Sequence, residues 1–271
     1  MAVWQKVING ETSRPKPEPS ETPSWLQAAL APLVLIASLG LWALFVRVTG
    51  YPAFILPGPE RVWKSFLAIA ADGTLGRHTV TTLSEVLAGL AVGMAVAFAL
   101  GYLLSRSRTV EQLVAPYIVA SQSIPIVAIA PLLVIWFPSG ATSKIIVSAL
   151  IVFFPILISC IAGLRSAEPD LLDLMRSLEA TRWQTFTKLE LPAAMPMLVS
   201  GLKVGATLSV IGAVVGEFVG ADRGLGFLVK QGQGIYDTPL MFVAVIALVV
   251  IAMSLYGLVA LVERYLLAWK Q

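Results

Sequence analysis

Residues 170–192 read Asp-Leu-Leu-Asp-Leu-Met-Arg-Ser-Leu-Glu-Ala-Thr-Arg-Trp-Gln-Thr-Phe-Thr-Lys-Leu-Glu-Leu-Pro, a polar and helix-patterned stretch between two long apolar segments. Leu171, Leu172, Leu174, Met175 and Leu178 share one face at helical spacing, and Asp170, Asp173, Arg176 and Ser177 take the other. Asp173 and Arg176 are three apart and pair across one turn, for roughly a few tenths of a kcal/mol. Thr181 is placed to cap a second amphipathic piece carrying Trp183, Phe186 and Leu189. Leu191-Pro192 is expected to end it, because the residue before proline is pushed out of the α region. A helical hairpin with an apolar face, held between two spans, either lies on lipid or is gripped by protein. Its basic face is modest and mixed with acidic residues, which favours protein.

The rest of the chain places that hairpin in a membrane protein. Of 271 residues, 57% are hydrophobic and 13% charged, about half the charge of an ordinary soluble domain. Apolar runs reach the ~20 residues needed to cross a bilayer. Six spans are expected, at about 27–48, 80–103, 113–137, 144–164, 195–219 and 239–262. The fold class is therefore all-α: a polytopic membrane protein with six transmembrane helices and a cytoplasmic loop at about 166–194. Residues 1–26, with four prolines and no apolar core for a signal peptide, are expected to be a disordered cytoplasmic tail. Residues 27–265 form the transmembrane domain and 266–271 a second cytoplasmic tail.

Orientation follows from the Lys and Arg flanking the spans. With the N-terminus inside, the inner flanks hold Lys6, Arg14, Lys16, Arg106, Arg108, Arg165, Arg176, Arg182, Lys188, Arg264 and Lys270. The outer flanks hold the smaller set Arg47, Arg61, Lys64, Arg77, Lys144, Arg223 and Lys230. Both termini are therefore expected in the cytoplasm. The net charge of +3 is spread over span ends, with no basic block that would suit nucleic acid. Cys160 is the sole cysteine, so no internal disulfide forms and the residue is assigned to packing.

Several positions inside the spans carry more than bulk. Gly201, Gly205, Gly212, Gly216 and Gly220 recur at small-xxx-small spacing, as do Gly89 and Gly93, and allow close helix approach. Ser121, Gln122 and Ser123 precede Pro125 and, further on, Pro131. They make a polar, broken helix whose freed carbonyls are tolerated beside protein or water, and hence a candidate translocation path. Glu85 and Glu217 lie toward the outer ends of their helices, where a wet cavity is expected to solvate them. Glu217 is assigned either to the path or to a structural anchor. Lys203 is read as the only span-buried cation, snorkelling inward. His78 is the only histidine, so a two-His metal site within one chain is excluded and no metal is expected. Outside the spans, Pro59 opens a short amphipathic helix with Val62, Trp63, Phe66 and Leu67.

The hairpin resembles the "EAA" loop of binding-protein-dependent ABC transporter permeases. Asp173-Leu174-Met175 stand in the Glu-Ala-Ala places, Ala180-Thr181-Arg182-Trp183 match the small-polar-basic-Trp continuation, and Leu189, Leu191 and Pro192 match its end. Glu179 takes the place of a glycine at the bend, which implies a different bend or strain. Resemblance extends over about residues 50–265. Tyr51-Pro52 with Leu56-Pro57-Gly58-Pro59, and Ser121 through Pro131, look like the sulfonate, taurine and nitrate branch. Gly216-Glu217-Phe218-Val219-Gly220-Ala221 with Gly224-Leu225-Gly226 is most similar to permeases for riboflavin and hydroxymethylpyrimidine.

This resemblance implies a homodimer in the cell membrane, working with ABC ATPase subunits and an extracytoplasmic solute-binding protein. No Gly-x-x-x-x-Gly-Lys-[Ser/Thr] loop occurs, so this chain is expected to be no enzyme, and ATP and Mg belong to the partner ATPase. Leu174, Met175, Trp183 and Phe186 are the expected docking knobs on that partner, with Asp173 and Arg176 as polar contacts. The expected cargo is a small heterocyclic vitamin or precursor, riboflavin first and the thiamine-pyrimidine precursor second. The rival within the class is a sulfonate, taurine or nitrate permease. A stand-alone channel or secondary transporter is the rival outside it and predicts paired buried charges. No nucleophile–base constellation supports an intramembrane enzyme.

Overall fold

The computed structural model describes residues 24–137 and 140–267, and among them all regular structure is helical. Residues 1–23 of the expected N-terminal tail and 268–271 of the C-terminal one lie outside the described residues. Residues up to Tyr51 form a unit apart from the remainder. That unit is helix α1, Ser24–Thr49, which contains Pro32 and is long and apolar enough to span a membrane. It ends where Gly50 turns to φ +63° and donates its N–H to the Val46 carbonyl.

The second unit begins with α2, Pro59–Ala71, where Pro59 takes the first turn as expected. Trp63 and Phe66 stack on it at 5.2 Å. The remaining helices are α3 (Thr74–Ser105), α4 (Arg108–Gln122), α5 (Ile126–Trp136), α6 (Ala141–Leu164), α7 (Pro169–Ser177), α8 (Arg182–Thr185), α9 (Leu191–Gly220), α10 (Leu225–Gly234) and α11 (Thr238–Leu266). Four of the expected spans, those read at 27–48, 80–103, 144–164 and 239–262, appear as single helices slightly longer than their apolar runs. Polar end groups account for some of the extra length: the Asp237 carboxylate, for example, accepts from the Leu240 N–H and starts α11.

Two expected spans differ in form. The stretch 113–137 is broken: α4 and α5 meet at 88°, because Pro125 lacks an N–H and holds Ile124 out of the helix. With this pair counted as one span, the described residues hold six, and otherwise five. The stretch 195–219 instead belongs to a continuous 39-residue helix running from Arg182 to Gly220. Leu191-Pro192 does not end the amphipathic piece, as the pre-proline rule suggested. A π segment at Phe186–Glu190 sends the Leu191 N–H to the Phe186 carbonyl. That wider turn admits the proline ring without breaking the helix.

Helix α6 is the hub, packed along α3 on one side and α9 on the other. A Cβ placed on Gly212 of α9 would stand 2.5 Å from Ser148 Cα, and one on Gly93 of α3 2.7 Å from the Ala149 oxygen. Gly89 faces the Ser148 side chain from α3. Gly201 meets Ser159, Gly205 meets Ile156, Gly216 meets Lys144, and Gly220 meets Val134 of α5. The glycine stripe of α9 thus packs against helices of its own chain, and the Ser148 hydroxyl adds a hydrogen bond to the Ser209 carbonyl at 3.0 Å. Gly212→Ala is therefore expected to destabilise the chain by about 1–3 kcal/mol through overpacking against backbone. Gly257→Ala, where no atom lies within 4 Å, serves as the neutral control. Thermal unfolding of both variants in detergent checks this, and equal midpoints would refute the close contact.

Candidate functional site

The hairpin leaves α6 at Arg165, and Ser166 ties it down by donating to the Gly163 carbonyl at 2.8 Å and the Ala193 carbonyl at 3.2 Å. Pro169 sits in the first turn of α7. That helix closes on Glu179, whose φ is +52°. The Ala180 N–H reaches the Met175 carbonyl and the Glu179 N–H the Arg176 carbonyl, each at 3.0 Å. This is a Schellman closure with a non-glycine residue in the left-handed position. The expected alternative of a different bend is not what forms: the bend is the glycine-type one, and Glu179 carries its strain. The chain then enters α8 through a capping box, with Thr181 Oγ1 accepting from the Gln184 N–H and Gln184 Oε1 from the Thr181 N–H. The T-x-x-Q spacing was a readable signal for this second bond.

The expected knobs do not form one class. Leu174 and Trp183 are 52% and 70% exposed, and Leu171 and Leu178 join them at 40% and 68%. Met175 is half-buried. Phe186 is turned inward, with its ring edge-on to Tyr102 at 5.2 Å and 5.8 Å from Trp183. Asp173 and Arg176 pair at 2.7 Å on the exposed face, and Leu191 and Pro192 are half-buried at the join to α9. Leu171 and Leu178 were legible in the apolar face, yet periodicity did not distinguish them from residues that pack inward.

Charge fastens the hairpin to the helix ends beneath it. Arg106 pairs with Glu190 at 2.9 Å and lies 4.6 Å over the Tyr102 ring. Arg165 pairs with Glu111 and donates to the Leu104 carbonyl at 3.2 Å. An apolar cavity of about 360 Å³ lies behind Phe186, lined also by Phe98, Tyr102, Cys160, Leu191 and Leu198. Cys160 is buried there among apolar neighbours, in keeping with its assignment to packing.

Ser121, Gln122, Ser123 and Pro125 are all exposed at the α4–α5 break. The hydroxyls of Ser121 and Ser123 return to the carbonyls of Tyr117 at 2.7 Å and Val119 at 3.2 Å. Gln122 is thus the polar group of this segment whose length carries it furthest from its own backbone.

At the end of the bundle away from the hairpin, two acidic side chains are buried. Glu85 and Glu217 are 1% and 0% exposed, so the wet cavity expected around them is replaced by protein donors. Glu217 accepts from the Thr82 hydroxyl at 2.6 Å and from the Gly226 N–H, and Thr82 Oγ1 accepts from the Leu225 N–H at 2.7 Å. His78 Nδ1 stands 2.9 Å from the Gly224 nitrogen, and its ring stacks on Phe227 at 5.8 Å. Glu217 thereby holds the α9–α10 connection as an anchor. Lys144, read as an outer flank, is 3% exposed and pairs with Glu85 at 3.2 Å. Lys144, and not Lys203, is thus a buried cation: Lys203 is half-buried and pairs with Glu263 near the Tyr256 ring. Burial of Lys144 was illegible in the sequence because the residue opens its helix, where a flanking charge reads the same.

Glu179→Gly is expected to relieve about 1 kcal/mol of left-handed strain, and Glu179→Val to add to it through β-branching. Thermal midpoints of the full chain in detergent should therefore rank Gly above Glu above Val, and the reverse order would exclude this turn.

Residues 89–267 match the family model described as binding-protein-dependent transport system inner membrane component. The chain is 44% identical over 239 residues to the riboflavin transport system permease protein RibX of Chloroflexus aurantiacus, covering 88% of this chain and 89% of that one. It is 32% identical over 250 residues to the taurine transport system permease protein TauC of Escherichia coli, covering 90% of each. Its fold is like that of a chain in inward-facing structures of the MetNI methionine ABC transporter, with a TM-score of 0.65 and 21% identity over 73% of this chain and 98% of that one. An all-helical membrane chain without a nucleotide-binding loop, matched over its hub and its hairpin, belongs to the family of binding-protein-dependent transport system inner membrane components, the permease subunits of ABC importers.

Proposed function

We propose that this permease imports a small heterocyclic vitamin or precursor, with riboflavin first and a thiamine-pyrimidine precursor second. An external solute-binding protein would deliver the cargo, and two copies of the chain would form the pathway. The observation that carries this reading is the 44% identity to a riboflavin permease, against 32% to a taurine permease, over comparable spans. The taurine likeness keeps a sulfonate cargo as the second reading. Both termini belong in the cytoplasm on the Lys and Arg balance of the flanks.

Drive is assigned to partner ATPase subunits, which hold the ATP and Mg. Leu171, Leu174, Leu178 and Trp183 present an exposed apolar ridge on a hairpin tied to α3 and α9, the shape a groove on a partner takes up as a helix-in-groove contact. Movement of that ridge would pass through the uninterrupted Arg182–Gly220 helix to the far end of the bundle. The buried Lys144–Glu85 pair is the feature a stand-alone carrier was expected to show, so dependence on the ATPase has to be measured.

Two experiments test these assignments. Labelled riboflavin uptake would be followed in cells carrying the permease, its ATPase and its binding protein, with pyrimidine precursor and taurine as competitors. Uptake that resists taurine and disappears when the ATPase's P-loop lysine is changed is the expected result. Taurine-sensitive uptake moves the cargo to the sulfonates, and uptake that survives the lysine change overturns the ATP-driven reading. Separately, the paired change Leu174→Glu and Trp183→Ala is expected to lower co-purification of the ATPase by at least about tenfold, as for loss of central anchors in an interface. Undiminished co-purification would remove the ridge from the docking contact.

A further inference from the structure

Two carboxyl groups and one ammonium group share the dry space where α3, α6 and α9 meet. Glu85 and Glu217 are 1% and 0% exposed, and Lys144 is 3% exposed. Lys144 Nζ stands 3.2 Å from Glu85 Oε1, Gly216 packs against the Lys144 side chain, and Thr82, one turn before Glu85 on α3, donates to Glu217, which gathers the three groups into one cluster. Both oxygens of Glu217 already receive donors, the Thr82 hydroxyl on Oε1 and the Gly226 N–H on Oε2. Among the described residues, Glu85 Oε2 is the one buried side-chain oxygen or nitrogen without a partner.

Were both carboxyl groups ionised, the cluster would carry one uncompensated negative charge in a water-free site. Glu85 Oε2 would also remain a buried acceptor with no donor. Two carboxylates that share a site resolve such a conflict by retaining one proton. No further charge on the packed elements serves instead. Helix α3 contributes Glu85 and, near its start, His78, which contacts Gly224. From α6 comes Lys144 alone; on α10 the Gly226 N–H donates to Glu217 and the Leu225 N–H to Thr82, while the exposed Lys230 donates to the Phe218 carbonyl. Asp222 and Arg223 stand apart in a polar cavity of about 750 Å³ that opens beyond His78.

We propose that Glu85 carries a proton on Oε2 and donates it to the Glu217 carboxylate, so that Lys144 balances a proton-bridged pair. Glu85 is the protonated partner because its free oxygen is the atom that lacks a contact, whereas Glu217 needs its lone pairs for Thr82 and Gly226. The cluster is then neutral, with one ammonium, one carboxylate and one carboxylic acid. Glu217 also holds the α9–α10 connection, so this proton is part of the latch at the end away from the hairpin. The assignment stands on the buried cluster and is independent of which cargo the permease carries.

Infrared difference spectroscopy tests it on the full chain in lipid nanodiscs at mildly alkaline pH, where exposed carboxylates are ionised. The wild type is expected to show the C=O stretch of a buried protonated carboxyl. Glu85→Gln and Glu217→Gln are each expected to abolish the band, since either leaves one carboxylate against one ammonium. Glu85→Gln should also keep a near-native thermal midpoint, because its amide donates where the acid did. Glu217→Gln should lower the midpoint, because the Thr82 hydroxyl and the Gly226 N–H then compete for a single acceptor oxygen. A wild type without the band, or a band that survives both substitutions, overturns the proposal. Should those variants fail to fold, Thr82→Ala removes a donor to Glu217 while sparing the pair. It is expected to shift the band, and an unshifted band would equally overturn the assignment.

Discussion

The fold depends on the close approach of three helices at Ser148. Gly89 of α3 and Gly212 of α9 come so near this residue from two sides that neither position has room for a methyl group. Between helices immersed in lipid there is little hydrophobic gain from association, because the tails are as apolar as the side chains they replace. Backbone-to-backbone proximity supplies the attraction instead, through many small dispersion contacts and the Ser148–Ser209 hydrogen bond. Once α6 is clasped this way, the positions of Glu85, Lys144 and Glu217 follow, since each sits on one of the three clasped helices.

The two ends of that clasp are built from different electrostatics. At the hairpin end, Arg106–Glu190 and Arg165–Glu111 are partly exposed pairs, and pairs of that kind contribute modestly and yield readily. At the other end, Lys144, Glu85 and Glu217 are out of water, and removing the Lys144 ammonium there would leave a buried carboxylate uncompensated at a cost of about 3–5 kcal/mol. A subunit that must receive movement at one end and keep its own architecture is served by this division. The continuous helix from Arg182 to Gly220 joins the two, and its π segment sits at the yielding end.

Much of this was legible in one dimension. Apolar runs announced the spans, Pro59 announced the start of α2, and the spacing of Asp173 and Arg176 announced an ion pair that forms at 2.7 Å. Local chemistry was less reliable wherever a proline met a long helix. Pro125 breaks its span and Pro192 does not, although the same pre-proline rule applies to both. Pro116, Pro131, Pro155 and Pro196 also lie inside unbroken helices, so the difference is set by the surrounding backbone and has no residue-level signature. Glu179 shows the converse: the local Schellman bonds and the capping box that follows hold a glutamate in the conformation that a glycine would adopt without strain.

By itself, the sequence determined that the chain is helical and membrane-spanning, where its hairpin lies, and which family its motifs resemble. These properties rest on hydropathy, periodicity and turn chemistry, which act over a few neighbouring residues. Only the tertiary structure decided that Lys144 is buried rather than flanking, that Glu217 anchors the α9–α10 connection, and that Phe186 packs inward while Leu171 and Leu178 face out. Each of those outcomes depends on which distant helix lies alongside, and a pattern read along one helix says which residues share a face but not what that face meets.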